Sequence, residues 1–220
     1  MLWMTLVTLL ACDKEGEIAD EPQINGTVST VDGEAQVAIY RAFGFHTDDG
    51  AVFYFTSTPD SDCPMVAEYL SSKQVDPQDI WAPGTCNLSA VLPNYDPAGT
   101  TVSRTPDEPT FDVTWNVRCA LGEGAFEWGK RDEGSDDEDY FWAGPDAVEW
   151  WGSGLEFTAT FSGEGTQDDP YIVDIPEMTQ FSGNYPAIFG DIIPADGVVS
   201  GSIEAQTCDD LYGTYIFQAL

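Results

Sequence analysis

Residues 155–162 read LEFTATFS, and residues 111–119 read FDVTWNVRC. Apolar and polar side chains alternate through both stretches. A period of two places the apolar side chains on one face of a β-strand and the polar ones on the other. Both stretches therefore predict strands with one face in the core and one in solvent.

Comparable patterns recur along the rest of the chain. They predict further strands at 24–31, 35–45, 52–58, 86–92, 99–104, 171–175, 198–207 and 214–217. Turn residues such as Asp32-Gly33 and Asp196-Gly197 separate these segments. Residues 64–72 favour one helix, for which Asp62 is a suitable N-cap. The pattern predicts an all-β fold, an antiparallel β-sandwich or small barrel with at most one short helix.

Charge is the extreme feature of the composition. The 220 residues include 39 acidic and 7 basic ones, giving a formal net charge of −32, while 13% of the residues are aromatic. The aromatic content favours a folded core over a disordered acidic chain. The charge excludes nucleic acid as a partner, because phosphates would be repelled. Two interpretations remain, a solvated surface suited to a salty habitat and a divalent-cation site.

The first eleven residues read MLWMTLVTLLA and carry no charge. This run is too short to span a bilayer as a helix but suits the apolar core of a signal peptide. It leads into Leu9-Leu10-Ala11-Cys12, which resembles the lipobox of bacterial lipoproteins. The resemblance implies cleavage before Cys12, a diacylglyceryl group on its thiol, and a fatty acid such as palmitate on the new amine. It departs from the pattern in having no Lys or Arg at the start.

This resemblance sets the expected organisation of the chain. Residues 1–11 are the signal peptide, 12–23 the lipidated cysteine with a polar tether, and 24–220 a single acidic β domain. The partner is then the membrane, reached through the lipid on Cys12. The domain would lie outside the cytoplasm, on the cell membrane or the outer membrane, and the choice between them stays open.

Four cysteines follow Cys12, namely Cys63, Cys86, Cys119 and Cys208. An even number in an exported chain implies two disulfides, for which three pairings exist. We favour Cys63–Cys86 and Cys119–Cys208, the first closing a loop around the predicted helix. A zinc site is the rival interpretation, but the spacing contains no C-x₂-C pair.

A second resemblance rests on weaker motifs. Pro83-Gly84-Thr85 before Cys86, and Val199–Ile203 before Cys208, are similar to stretches in uncharacterised lipoproteins of the myxobacterial kind. This group implies no activity.

Catalytic motifs are missing from the sequence. His46 is the sole histidine, and no G-x-S-x-G elbow, P-loop or H-E-x-x-H motif accompanies it. We expect a hydrogen-bonded or solvated ring at a strand end. A glycosidase-type carboxylate pair cannot be picked out among so many acids. The sequence therefore predicts no catalytic residue and no enzymatic activity.

Two features suggest binding instead. The acidic run 132–139 offers Asp132, Asp136, Asp137 and Asp139 as calcium ligands, to which Asp168-Asp169 and Asp209-Asp210 would add oxygens. The spacing does not match an EF-hand, and a solvated loop is the simpler interpretation. Aromatic residues cluster nearby, and Trp142 and Trp151 are the candidate ligand-binding residues. Core packing is the alternative use of these rings.

Three functional hypotheses follow. The first is an exported, lipid-anchored envelope lipoprotein, a non-enzymatic binding or structural module without a cofactor. The second is a calcium-dependent module that binds carbohydrate or protein. The third is a secreted hydrolase.

Overall fold

Strands make up most of the chain that the structure describes. The computed structural model describes residues 21–31, 33–71, 84–105, 114–121, 126–129, 140–143, 148–184 and 193–214. The strands are β1 (Ile24–Thr30), β2 (Gly33–Ile39), β3 (Arg41–Thr47), β4 (Gly50–Thr56), β5 (Thr85–Leu92), β6 (Thr100–Arg104), β7 (Thr114–Leu121), β8 (Phe126–Gly129), β9 (Tyr140–Ala143), β10 (Val148–Ser162), β11 (Tyr171–Asn184) and β12 (Ile193–Thr207). A helix, α1 (Cys63–Leu70), and a 3₁₀ turn, Asp209–Leu211, accompany them.

The sheet closes on itself because two strands each have two partners along one edge. β12 pairs with β11 on one edge, and with β1 and then β3 on the other. β5 pairs with β7 on one edge, and with β2 and then β4 on the other. The hairpins β1–β2 and β3–β4 each bridge β12 to β5, and β7, β10 and β11 complete the circuit. The result is a closed seven-stranded barrel with additional strands, which confirms the predicted all-β class.

Several predicted strands differ in extent from the observed ones. β10 and β12 begin at Val148 and Ile193, earlier than the predicted residues 155 and 198. Most of the predicted strand 214–217 lies outside the described residues. The predicted strand 35–45 is divided at Tyr40, because the chain there changes partners from β1 and β5 to β4 and β12. The predicted strand 171–175 continues as β11 to Asn184. It passes Pro176 through a register shift between Ile175 and Met178, the kind of bulge that tolerates a proline.

Aromatic side chains fill the barrel. On β10, Phe157, Ala159 and Phe161 are buried, and Glu156 and Thr158 are exposed, as the alternation predicts. Rings from four strands meet in the interior with centroids 5.2–5.6 Å apart, in the pairs Phe53–Phe161, Phe53–Tyr171, Phe55–Trp115 and Trp115–Phe161. Burial of this apolar surface is the main stabilising contribution to the fold.

The helix covers part of the outer wall of the barrel. Every residue of β4 is buried, because its interior face lines the barrel and its outer face lies under α1. We call the apolar residues of this layer the outer cluster: Phe43, Val52, Tyr54, Val66, Leu70, Val91, Cys208 and Leu211. The Asp62 side chain accepts a hydrogen bond from the Met65 N–H at 2.9 Å, which caps the helix as predicted.

The four cysteines form two disulfides, but with a pairing other than the one we favoured. The bonds are Cys86–Cys119 and Cys63–Cys208. The register of β5 and β7 places Cys86 directly opposite Cys119, with their Cα atoms 4.0 Å apart. The end of β12 lies beside the start of α1, which brings Cys208 to Cys63. The favoured pairs Cys63–Cys86 and Cys119–Cys208 are therefore wrong.

Candidate functional site

The structure describes only some of the residues singled out by the sequence. The proposed lipidation site and the calcium candidates of the acidic run lie outside the described residues: Cys12, Asp132, Asp136, Asp137 and Asp139. Trp142 lies in β9, paired with Glu127, and Trp151 lies in β10, paired with Arg118 and Asn184. These pairings place the two tryptophans in different sheets and do not bring them together.

The other proposed calcium ligands are solvated. Asp168, Asp169, Asp209 and Asp210 are all exposed. Within the part of the chain that the structure describes, no group of three or more acidic, histidine or cysteine side chains is arranged to hold a metal ion.

A polar cluster surrounds His46, at the end of β3. Its Nδ1 lies 2.7 Å from the hydroxyl of Tyr171, at the start of β11. Its Nε2 lies 3.6 Å from a carboxylate oxygen of Glu164. Nδ1 therefore shares a hydrogen bond with the Tyr171 hydroxyl, and Nε2 faces the Glu164 carboxylate. His46 is thus the hydrogen-bonded strand-end residue that its sequence context predicts.

The segment 163–170, which joins β10 to β11, folds over this cluster. The Tyr95 hydroxyl donates to the Gly163 carbonyl at 2.7 Å, and the Thr207 hydroxyl donates to the Gly165 carbonyl. The backbone at Gly165 lies so close to Tyr171 that a Cβ there would be 2.3 Å from the ring. Two side chains, one from the loop after β5 and one from β12, therefore hold this segment to the end of the barrel by hydrogen bonds.

The tyrosines in the cluster remain protonated at neutral pH. Burial, then the charges of Asp209 and Glu164, raises the pKa of Tyr171 to about 12. Burial and neighbouring acidic charges also raise the pKa of Tyr95 above its ordinary value. A nucleophilic phenolate would require the opposite shift. Tyr171 is also only 1% exposed. The residues of this cluster therefore serve to hold the end of the barrel together by hydrogen bonds.

Sequence reasoning identified His46 but none of its three neighbours. Tyr171 lies 125 residues away in sequence from His46, and Tyr95 and Glu164 lie in loops. The weak signal available was that a lone histidine next to a turn needs partners for two ring nitrogens.

Acidic side chains on the described surface are exposed without exception. They are Glu21, Glu34, Asp48, Asp49, Asp60, Asp62, Glu68, Asp96, Glu156, Glu164, Asp168, Asp169, Asp174, Glu177, Asp196, Glu204, Asp209 and Asp210. Hydration, and not burial against cations, accommodates these charges. This arrangement is what a solvated acidic surface requires.

Within the described residues, no helix combines the length and apolar character needed to cross a bilayer. Comparisons with protein families, curated proteins and solved structures found no match to this chain.

Proposed function

We propose that this protein is an exported lipoprotein, whose acidic barrel is held outside the cytoplasm by lipid on Cys12. The observation that carries the proposal is the motif Leu9-Leu10-Ala11-Cys12 at the end of an uncharged apolar run. Lipid on both the thiol and the new amine of Cys12 would supply more than one acyl chain, which stable anchoring requires.

Both disulfides support export. Structural disulfides persist in oxidising compartments and are rare in the cytosol. All four cysteines that follow Cys12 are paired, and Cys86 and Cys119 are inside the barrel. A chain that folds around two cystines is suited to the cell envelope.

The proposed role is structural or binding, without catalysis. Packed aromatic rings occupy the barrel interior, so a partner would bind to the outer surface. The two ring nitrogens of His46 face Tyr171 and Glu164. The ring therefore helps to hold the segment 163–170 in place. The exposed carboxylates keep the domain soluble and repel anionic surfaces such as lipid headgroups.

Mass spectrometry of the mature protein from a bacterial host tests the proposal. We expect an N-terminal peptide that begins at Cys12 and carries the mass of a diacylglyceryl group and an amide-linked fatty acid. Cys12→Ser should abolish both cleavage and lipid. Thr8→Ser, which changes the apolar run but not the motif, is the matched control and should be processed normally. A protein that retains Met1 and dissolves without detergent would contradict the proposal.

A further inference from the structure

The two disulfides differ in their access to solvent. Cys86 and Cys119 are both 0% exposed and lie inside the barrel. Cys63 is half-buried, and Cys208, its partner, is 1% exposed. Cys63–Cys208 is therefore the disulfide that a thiol in solution reaches more readily, because one of its residues is partly exposed, whereas both residues of Cys86–Cys119 are fully buried.

Three exposed acidic residues lie at this disulfide, one of them in contact with the Cys63 sulfur. The Asp210 Oδ2 atom lies 3.8 Å from the Cys63 Sγ atom. Asp62, the residue before Cys63, and Asp209, the residue after Cys208, are both exposed acids. The species that attacks a disulfide is an anionic thiolate. Each of these charges, together with the net charge of −32, repels it.

The disulfide Cys63–Cys208 also holds α1, a helix that is too short to be stable in isolation. It joins the first residue of α1 to the residue before the 3₁₀ turn Asp209–Leu211. The helix has only eight residues, which is below the length at which an isolated helix is stable in water. Without the bond, only the outer cluster and polar contacts such as that of Arg118 with Tyr69 would hold it to the barrel wall.

We propose that Cys63–Cys208 is a reducible disulfide that holds α1 to the barrel, and that thiol reductants without negative charge reduce it selectively. Its reduction loosens α1, while Cys86–Cys119 keeps the barrel closed. The proposal goes beyond the lipoprotein function and does not depend on the lipid at Cys12. Its substrate class is a neutral or cationic thiol, or the exposed dithiol of a reducing protein.

The reaction is an ordinary thiol–disulfide exchange. A thiolate of the reductant attacks the Cys63 sulfur, the Cys63–Cys208 bond breaks, and Cys208 leaves as a thiolate. A second thiolate, from the same dithiol or from a second monothiol molecule, then attacks the reductant's sulfur in the mixed disulfide and releases Cys63 as a thiolate. The reductant is oxidised to a disulfide, cyclic for a dithiol and linear for two monothiols, the cystine gains two electrons, and both cysteine thiolates take up protons from water.

Reduction of the folded full-length chain with three small thiols tests both parts of the proposal. Cys12→Ser is introduced so that only the four cysteines of the barrel are counted. The probes are 2-aminoethanethiol, 2-mercaptoethanol and 2-mercaptoethanesulfonate, which are cationic, neutral and anionic. Each rate is divided by the rate of the same thiol on an uncharged small disulfide, and opened cysteines are alkylated and mapped by mass spectrometry.

We expect label at Cys63 and Cys208 well before label at Cys86 and Cys119. The cationic thiol should react roughly fivefold faster than the anionic one at low salt. In 1 M salt, where the Debye length is about 3 Å, the difference should shrink to below about twofold. Equal opening of the two disulfides in the folded protein, or rates independent of thiol charge, would overturn the proposal.

Asp210→Asn provides the residue-level test. It should lower the cationic-to-anionic rate ratio by about twofold. Asp196→Asn, an exposed acid near the opposite end of β12, is the matched control and should leave the ratio unchanged. Hydrogen exchange of the selectively reduced and alkylated protein should show faster exchange in α1 and retained protection in β10–β12. Unchanged protection of α1 would show that this disulfide does not hold α1 to the barrel.

Discussion

Removing the Tyr171 hydroxyl should destabilise the barrel by about 1 kcal/mol at pH 7. In Tyr171→Phe, the ring is retained with its edge-on packing against Phe53, at a centroid distance of 5.4 Å. The change therefore removes the contacts of this hydroxyl with His46, chiefly the 2.7 Å hydrogen bond with Nδ1. Because the His46 side chain is 24% exposed, water can solvate the released nitrogen. This keeps the cost near that of one net hydrogen bond.

The same variant should behave differently at alkaline pH. The pKa of Tyr171 is raised from 10.0 to about 12 in the folded state, principally by burial. A raised pKa stabilises the fold below pH 10, and this stabilisation is lost as the pH rises from 10 towards 12. At pH 11, ionisation in the unfolded state costs the wild type about 1 kcal/mol, a penalty that phenylalanine cannot incur. The deficit of Tyr171→Phe should therefore nearly vanish.

Urea unfolding, followed by tryptophan fluorescence at pH 7 and pH 11, measures both differences. Tyr212→Phe controls for the loss of a hydroxyl from an exposed ring, and we expect it to lie within about 0.5 kcal/mol of wild type at pH 7. If Tyr171→Phe lost the same unfolding free energy at both pH values, the reasoning would be refuted. That result would show that burial does not raise the pKa of the Tyr171 hydroxyl in the folded protein.

Three other perturbations test the fold. Gly163→Ala should cost at least 1 kcal/mol more than Gly213→Ala in urea unfolding, since both have positive φ but only at Gly163 would the new Cβ meet backbone, 2.0 Å from the Pro170 carbonyl oxygen. Phe53→Ala should cost about 3–5 kcal/mol by the same assay, against less than about 0.5 kcal/mol for the exposed Val31→Ala. Raising NaCl from 0.1 to 1 M should raise the melting temperature, and millimolar CaCl₂ added at constant ionic strength should raise it no further; a further rise with millimolar calcium would favour the calcium-binding hypothesis.

The sequence predicted the elements that carry a local pattern. Alternation predicted residues 155–162 of β10, and Asp62 was correctly predicted as the N-cap of α1. β4 has no clean alternation of apolar and polar residues because both of its faces are buried. Its run of apolar residues was nevertheless sufficient to predict a strand. Helix-poor composition and frequent turns then favoured a sandwich or barrel, but which strands meet was not visible.

What the sequence could not predict depends on register and on long-range pairing. The disulfide Cys86–Cys119 follows from the alignment of β5 with β7, and a shift of one residue would point one sulfur to the other face. The contact of His46 with Tyr171 requires β3 and β11 to be brought together by β12, which pairs with both. No spacing in the chain encodes these encounters.

The charge of the protein decides where its stability must come from. With 7 basic residues against 39 acidic ones, at least four fifths of the carboxylates can have no basic partner of their own. The arginines Arg41 and Arg104, moreover, donate to amide and carbonyl oxygens within the fold. Mutual repulsion of the acids must therefore be offset by the aromatic interior and by two covalent links that limit the unfolded chain. Both residues of Cys86–Cys119 are buried, whereas Cys63–Cys208 has one partly exposed residue, which contacts the carboxylate of Asp210. Reduction of Cys63–Cys208 should first weaken the packing of α1 on the outer cluster, because the interior that supports the barrel lies on the other side of β4.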